Sequence, residues 1–378
     1  DVVYFSGGGA TEQGDRPFLD LRRLDTGETE RLFRCDPGRY ESFVAFAGGE
    51  DRFVLRSESV VDVPNYYLAT FGKEIEAIKG EATRVLTREP ITRFEDPTPQ
   101  LREIEKRIVR YERKDGVPLS FHLHLPPGYK KGTPLPTVLY AYPLEYSGTT
   151  TAGQVRGSAQ RFMRLYGASH LYFLLQGYAV LDLTAMPMLG DPETTYDTFV
   201  PQLVADAEAA VAKAVEMGVA DPKRIGVIGH SHGGLMVANL LAHTDLFRAG
   251  IARSGSYNKT NQPFGFQSER RSLFEARDVY IQLSPTFFAD KVNEPILIIH
   301  GDDDSNPGTL TFQSEVFFEA VRGSGGTARL VLLPFEDHGY RARESVEHVL
   351  WEQLRWFDKY VKGAGTATPQ SSDLECRQ

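Results

Sequence analysis

Residues 229–233, which read Gly-His-Ser-His-Gly, constrain the fold of this chain more than any other segment. The apolar run 225–228 before them is typical of a buried strand, and residues 235–242 after them are compatible with a helix. A serine on such a tight strand-to-helix turn needs glycine on both sides, because side chains there would collide with the adjoining strand and helix. The sequence therefore predicts a nucleophilic Ser231 at the start of a helix, where the backbone amide of His232 can stabilise an oxyanion. A glycine-rich turn without a chemical role is the alternative.

Two later loops carry groups that could activate this serine. A serine hydroxyl is a weak nucleophile at neutral pH, so it needs a histidine base that a carboxylate orients. The strand-like run 296–300 leads into three aspartates at 302–304, and the strand-like run 330–333 is followed by His338. The order serine, acid, histidine is that of α/β hydrolases. We therefore predict that His338 takes the proton from Ser231 while one of the carboxylates fixes the imidazole tautomer.

Metal binding is the competing interpretation of these polar residues. Hard cations bind clustered carboxylates, so residues 302–304 could form a cation site, but ligands at successive positions point in different directions. His230 and His232 flank the serine, but the turn directs their side chains away from each other. We therefore expect the chain to need no metal and no organic cofactor.

Strand-like and helix-like patterns alternate over the larger part of the chain. Apolar residues recur every four positions from Leu203 to Val215 and at helical spacing from Val346 to Val361, as in helices that bury one face. In the first strand of this part, His122 and His124 alternate with leucine and phenylalanine, which predicts a half-buried strand with both histidines facing solvent. The alternation of strands and helices predicts a doubly wound, mostly parallel sheet covered on both faces, as in an α/β-hydrolase domain. Strands are predicted at residues 119–125, 137–142, 179–183, 224–228, 249–253, 295–300 and 328–333.

The first hundred residues show a different pattern, with short β runs between glycine-containing turns and no convincing helix. Strands are predicted at residues 2–5, 18–24, 30–35, 42–47, 51–57 and 66–70. An isolated meander would leave open edges, so we expect this region to be the end of a β-propeller. Prolines among charged residues mark 88–106 as a linker. The predicted domains are a partial propeller-like region with its linker at 1–100, the hydrolase domain at 101–364 and a disordered tail at 365–378.

Composition limits the partners of the chain. The net charge of −9 argues against a nucleic-acid surface. No run of about 18 apolar residues occurs, so no membrane span is predicted. Cys35 and Cys376 are far apart and lack the spacing of a zinc site, and we expect no bridge between them. The chain begins with Asp1 rather than Met, so we expect it to be part of a larger protein whose remaining propeller lies elsewhere, and the compartment stays open.

With the motif at Ser231, several further segments resemble the prolyl oligopeptidase family, and within it the glutamyl endopeptidase branch. The similar region runs from about residue 107 to residue 361. The family is one of serine peptidases, so the resemblance implies hydrolysis of peptide bonds through an acyl-enzyme, with peptides or flexible polypeptides as substrates and glutamate preferred at the cleavage site. The motifs are Ala-Tyr-Pro at 141–143, Gln-Val-Arg-Gly-Ser at 154–158, and the segments 252–258, 263–267, 300–309 and 338–345.

The resemblance also implies roles for individual residues. It selects Asp304 as the acid and Tyr142 as a second donor to the oxyanion, with a buried core tyrosine as the alternative for Tyr142. Asn306 and Tyr257 are predicted to contact the substrate. The branch usually has tyrosine, glycine and alanine where residues 232–234 read His-Gly-Gly. This departure bears on the substrate pocket and not on the predicted triad.

Cleavage after glutamate requires a cation in the pocket that receives the side chain, because a buried carboxylate without a partner is costly. Arg156 is the first candidate, and a structural arginine that bridges loops is the equal alternative. Arg270 and Arg271 are weaker candidates. Other functions also fit the sequence: the same triad could serve a carboxylesterase, the chain could be an inactive fragment of a larger peptidase, or the β region could make it a binding module.

Overall fold

The structure is a computed structural model that describes residues 1–78 and 81–365. It divides into two compact units. The first contains residues 1–108 and 154–164, and the second contains residues 109–153 and 165 onwards. Cys376 and all but the first residue of the predicted tail at 365–378 lie outside the described residues.

The first unit is built of antiparallel strands. Its small core holds leucine and phenylalanine side chains around Phe53, which is fully buried and lies 5.0 Å, centroid to centroid, from Phe71. The strands form a three-stranded sheet in the order β1-β2-β3 and a four-stranded sheet in the order β4-β5-β6-β7. Their bounds are β1 (Val2–Gly7), β2 (Phe18–Arg23), β3 (Thr29–Arg34), β4 (Tyr40–Phe46), β5 (Arg52–Glu58), β6 (Asn65–Ile78) and β7 (Glu81–Pro90).

The six strands predicted from sequence in this unit are present. The interpretation of residues 88–106 as an unpacked linker is wrong in part. Strand β7 continues to Pro90, a 3-10 helix spans Pro99–Glu103, and Leu101 is buried. Pro90 is the last residue of β7 and Pro99 is the first residue of the 3-10 helix. The fixed backbone angle of proline is compatible with both positions, so these prolines do not prevent ordered structure.

The second unit is organised around an eight-stranded sheet with the order β17-β16-β15-β14-β10-β12-β9-β8. Neighbours from β17 to β12 run parallel, and β9 pairs antiparallel with β12. The strands are β8 (Glu105–Glu112), β9 (Pro118–Leu125), β10 (Leu135–Ala141), β12 (Ala179–Thr184), β14 (Ala220–His230), β15 (Ala249–Arg253), β16 (Ile296–Gly301) and β17 (Ala328–Leu333). A separate parallel pair consists of β11 (Leu144–Tyr146) and β13 (Pro187–Leu189).

Six α-helices belong to this part of the described chain. They are α1 (Thr149–Ala152), α2 (Phe199–Glu216), α3 (His232–His243), α4 (Arg277–Gln282), α5 (Phe312–Gly323) and α6 (Arg343–Tyr360). The prediction of a mostly parallel sheet with helices is confirmed, and α2, α3 and α6 lie where the apolar patterns placed them. None of the helices in the described ranges combines the length and apolar character needed to cross a bilayer.

The prediction that β9 is half-buried with solvent-facing histidines is wrong. From Leu119 to Leu125 every residue is buried, including His122 and His124. Asp182 on the neighbouring strand β12 receives a hydrogen bond from His170 and lies 3.7 Å from His124. Burial raises the pKa of Asp182, but the neighbouring histidines His170 and His124 lower it well below its usual range. Alternation with polar residues therefore marks a buried polar cluster here and not a solvated face.

Candidate active site

The predicted site residues follow the carboxyl ends of parallel strands. Tyr142 follows β10, Ser231 follows β14, Asp304 follows β16 and His338 comes after β17. The register brings these ends to one edge of the sheet, since Tyr140 pairs with Ile228 and His230 with Arg253. Ligands of open α/β sheets bind at this edge.

Ser231 occupies a strained turn between β14 and α3. Its backbone has φ 59° and ψ −121°, a conformation that residues with a side chain rarely adopt. Its amide donates a hydrogen bond to the carbonyl of Arg253 at 2.8 Å. A Cβ on Gly229 would lie 2.0 Å from the carbonyl oxygen of Gly233, and one on Gly233 would lie 2.8 Å from that of Ala141. Both glycines are thus required by close backbone contacts, and the turn has the geometry of a nucleophile elbow.

Asp304 and His338 lie in contact. The Oδ2 atom of Asp304 is 2.9 Å from Nδ1 of His338, and the carboxylate is buried. The other oxygen, Oδ1, accepts a hydrogen bond from the amide of Asn306 at 2.9 Å. Burial raises the pKa of Asp304, but hydrogen bonding to His338 and to the Asn306 amide outweighs this and lowers the pKa below its usual range. The carboxylate is therefore ionised at neutral pH and holds Nδ1 of His338 protonated, which leaves Nε2 to act as a base.

The acid has two further partners that the sequence analysis did not single out. Nε2 of His300 lies 2.8 Å from Oδ2 of Asp304, and Oγ1 of Thr309 lies 3.1 Å from the same atom. His300 is fully buried, and its Nδ1 lies 2.6 Å from the hydroxyl of Ser314. Burial lowers the pKa of His300, so its ring is neutral and donates from Nε2 to the carboxylate. The sequence signal that could have identified His300 is its position four residues before Asp304, near the end of strand β16.

His338 is close to the elbow. Its ring centroid lies 5.0 Å from that of His230, the residue before Ser231. Burial lowers the pKa of His230 to about 3, and the nearby Arg253 acts in the same direction, so this ring is neutral. His232 on the other side is buried, and burial lowers its pKa well below the usual range. In the described part of the chain, no group of three or more His, Cys, Asp or Glu is arranged to hold a metal ion.

Tyr142 is about one-third exposed. Burial raises the pKa of its phenol, whereas hydrogen bonding to Ser231 and Gln267 acts in the opposite direction. The ring lies 5.9 Å from that of His232. A partly exposed phenol that interacts with Ser231 fits the predicted oxyanion donor better than it fits the alternative of a buried core tyrosine. The first amides of a helix have no intrahelical acceptor, so the His232 amide is a second donor at the same place.

The residues predicted to bind substrate differ from one another in burial and in their hydrogen-bond partners. Arg156 belongs to the first unit. The side-chain oxygen of Asn306 accepts a hydrogen bond from the amide of Gly308 at 2.9 Å, which fixes the turn after the acid. Tyr257 is fully buried with its ring stacked on Phe317 at 4.6 Å, so the geometry gives no support to a substrate contact. Arg271 is paired with two carboxylates, those of Glu269 and Asp197, both at 2.7 Å, and Arg270 is exposed.

The strand order and the elbow at Ser231 define the second unit as an α/β-hydrolase domain. Residues 201–364 match the model of the prolyl oligopeptidase family, and the chain belongs to that family over this segment. It is 45% identical to a protein named probable glutamyl endopeptidase, chloroplastic, from Arabidopsis thaliana, over 99% of this chain and 38% of the relative. A protein of the same name from Oryza sativa subsp. japonica is 43% identical over 98% of this chain and 40% of its own length.

A solved structure shows the same fold at low sequence identity. An acylaminoacyl peptidase from Pyrococcus horikoshii superposes with a TM-score of 0.67 at 20% identity, over 99% of this chain and 56% of that protein. The chain spans about two-fifths of the length of the two curated relatives named above. The predicted membership of the prolyl oligopeptidase family is confirmed.

Proposed function

We propose that this chain carries the catalytic part of a serine peptidase that hydrolyses peptide bonds through an acyl-enzyme. The observation that supports this most strongly is the contact of His338 with a buried, ionised Asp304 beside the strained elbow that carries Ser231. Ser231 attacks the peptide carbonyl, and His338 accepts its proton at Nε2 and passes it to the leaving amine. Water then attacks the acyl-enzyme by the same route in reverse.

The developing negative charge on the carbonyl oxygen needs donors that are already in place. The Tyr142 hydroxyl and the His232 amide serve this role in the proposed mechanism. Both groups lie next to Ser231, one after strand β10 and one at the first turn of α3. They stabilise the tetrahedral intermediate of acylation and of deacylation alike.

The proposed specificity is for an acidic residue, glutamate above all, before the scissile bond. Relatives more than 40% identical over nearly this whole chain are named glutamyl endopeptidases, and this supports the same preference here. Because the chain spans about two-fifths of those relatives, the activity of a longer protein that contains it is part of the proposal.

Labelling with a fluorophosphonate tests the nucleophile, and hydrolysis of peptides tests the reaction. We expect wild type to be labelled and Ser231→Ala to be unlabelled, with Ser254→Ala as a control because Ser254 also has a positive φ but follows the neighbouring strand. Peptides with Glu, Gln, Pro or Ala before the reporter group should be cleaved fastest with Glu. Labelling without peptide hydrolysis, together with hydrolysis of simple esters, would instead indicate a carboxylesterase. Labelling that persists in Ser231→Ala contradicts the proposed nucleophile.

A further inference from the structure

Lys259 is a buried lysine in the same unit as the elbow. It begins the 3-10 turn Lys259–Asn261, and only 3% of its surface is exposed. Its backbone amide donates to the hydroxyl of Ser284 at 2.7 Å, which fixes the start of the side chain. Its ammonium lies over the ring of Phe266, 4.9 Å from the centroid. Lysine is almost never this buried unless it is paired, so the position calls for an explanation.

The ammonium has no counter-ion in contact. No carboxylate of the described residues lies within ion-pair distance of its Nζ; the charge that acts on it from further away is that of Glu145. Glu145 in turn accepts a hydrogen bond from the hydroxyl of Tyr196. Burial lowers the pKa of Lys259 to about 7, and Glu145 opposes this only in part. Folding thus maintains a desolvated cation whose charge is incompletely balanced, which costs stability.

Aromatic rings connect this ammonium to the elbow. Phe266 contacts Tyr196 at 5.2 Å between centroids, Tyr196 stacks on Phe199 at 5.4 Å, and Phe199 contacts His232 at 5.4 Å. The chain of rings ends at His232, the residue directly after Ser231. Both ring nitrogens of His232 are buried and lack a hydrogen-bond partner among the described residues, and the charge of Lys259 helps to lower the pKa of this histidine. The charge of Lys259 therefore acts on the residue that follows the proposed nucleophile, with the rings of Phe266, Tyr196 and Phe199 between them.

Two arginines of this unit have polar partners for their head groups. Arg271 is paired with Glu269 and Asp197. Arg253 donates from Nη1 to the carbonyl of Ala168 at 2.5 Å. Lys259 differs from both because its head group contacts an aromatic ring and, among the residues that the structure describes, no hydrogen-bond acceptor.

We propose that Lys259 is the cation that receives the acidic side chain of the substrate, which makes it the specificity-determining residue of the proposed peptidase. This inference rests on the proposed function and names the group that reads the substrate. The methylene groups of a glutamate lie against the aromatic rings, and its carboxylate pairs with the ammonium. A desolvated ion pair of this kind discriminates strongly against glutamine, because the neutral amide leaves the ammonium uncompensated.

The test compares Lys259→Met, which has similar length and no charge, with Lys259→Arg, which keeps the charge. Wild type should cleave a Glu peptide at least about tenfold faster in kcat/KM than the matched Gln peptide, as expected for a charged hydrogen bond. Lys259→Met should bring this ratio close to one, and Lys259→Arg should restore part of it. Lys291→Met is the matched control, because Lys291 also lies over a phenylalanine ring, that of Phe288, at 5.2 Å but is exposed.

Thermal unfolding gives a second, independent measurement. Because the pKa of Lys259 is lowered on folding, the cost of burying its charge is fully present below the folded value of about 7 and diminishes as the pH rises from there toward its ordinary value. Lys259→Met should therefore raise Tm, and more at pH 6 than at pH 9. A lower Tm in Lys259→Met together with an unchanged Glu to Gln ratio would identify a purely structural lysine and overturn the proposal.

Failure of the proposed function is recognised separately. If wild type is labelled by a neutral fluorophosphonate but hydrolyses no peptide, the peptidase proposal fails, and the lysine is then judged by labelling rates with phosphonates that carry a Glu or a Gln side chain. A Glu preference that disappears in Lys259→Met supports Lys259. A Glu preference that survives the substitution, or a wild type without one, overturns it.

Discussion

The carboxylate of Asp304 has more hydrogen-bond partners than it needs to orient one histidine. Its Oδ2 atom has the rings of His338 and His300 and the hydroxyl of Thr309 as partners, and Oδ1 has the amide of Asn306. Such a set of donors keeps a buried carboxylate ionised and allows it one orientation. In the proposed mechanism, His300 and Thr309 are therefore positioning residues, which act on the base through the acid.

The first prediction concerns this carboxylate. In Asp304→Asn the amide can donate to Nδ1 and so favour the wrong tautomer of His338, and we expect kcat to fall by about 10³- to 10⁴-fold. KM and Tm should change far less, because the amide has nearly the same shape. The measurement is steady-state hydrolysis of a Glu peptide, with the exposed neighbour Asp303→Asn as the control. A loss in Asp304→Asn of less than tenfold would show that another group orients the base.

Residue identity alone could not have revealed that Lys259 is buried. Lys259 lies in a polar run, Asn-Lys-Thr-Asn at 258–261, which in a sequence is typical of a solvated turn. Lys259 is buried because Phe266 and the residues around Phe266 pack against it. These residues are distant from Lys259 in the chain or separated from it by loops. By contrast, the positions of Ser231 and His338 after parallel strands could be predicted, because compact apolar runs precede both residues in the sequence.

Among the elements, the turn between β14 and α3 is tightly packed against its surroundings. Gly229 and Gly233 are in contact through their backbones, and Gly234 is also close to its surroundings, since an added Cβ would lie 2.9 Å from Cα of Gly255. An alanine at position 234 would therefore need a small displacement of the neighbouring loop. The turn is thus rigid at the atoms that set the direction of the serine hydroxyl.

The second prediction follows from this rigidity. Gly229→Ala places a methyl group 2.0 Å from a carbonyl oxygen, so the turn must move, and we expect a loss of at least about 3 kcal/mol in the free energy of unfolding together with loss of labelling. Denaturant unfolding and fluorophosphonate labelling measure the two effects. Gly323→Ala in α5 is the control, since nothing lies within 4 Å of its added Cβ, and its stability should change by less than about 1 kcal/mol. Normal labelling of Gly229→Ala would show that the elbow tolerates displacement.

The elements that sequence could and could not predict differ in their surroundings. The parallel strands were found because compact apolar runs mark strands that are buried on both faces. Helix α5 was missed because its buried face includes the polar residues Gln313 and Ser314 and its exposed face carries Val316, so its apolar stripe is indistinct. The exposure of the histidines of β9 was predicted wrongly because they are buried. His124 lies beside Asp182, which also pairs with His170, and these residues come from different parts of the chain.

At the scale of the whole molecule, each unit has its own hydrophobic core. The core of the first unit is centred on Phe53, whose ring lies 5.6 Å from that of Phe43 and 6.0 Å from that of Phe33. The core of the second unit extends along the eight-stranded sheet and includes many more side chains. Units with separate cores can open independently.

The third prediction tests this independence. Phe53→Ala removes a fully buried aromatic side chain of the small core and should cost about 3–5 kcal/mol in the stability of the first unit. Hydrogen exchange should then accelerate in β4, β5 and β6, while β14, β15 and β16 keep the protection they have in wild type. Phe5→Ala, at a half-exposed position, should change neither. Equal acceleration in both units would show that they unfold as one.

The path of the chain also limits how the two units can be exchanged between proteins. The first unit takes residues 154–164 from within the sequence of the second, and holds them through Asp15, which accepts a hydrogen bond from the amide of Gly157 at 3.1 Å, and Glu58, which accepts one from the amide of Phe162 at 3.0 Å. The backbone therefore passes from one unit to the other after residues 108, 153 and 164. A chimaera joined at a single point would separate this segment from its partners, so recombination that preserves both folds has to transfer two stretches of the gene together.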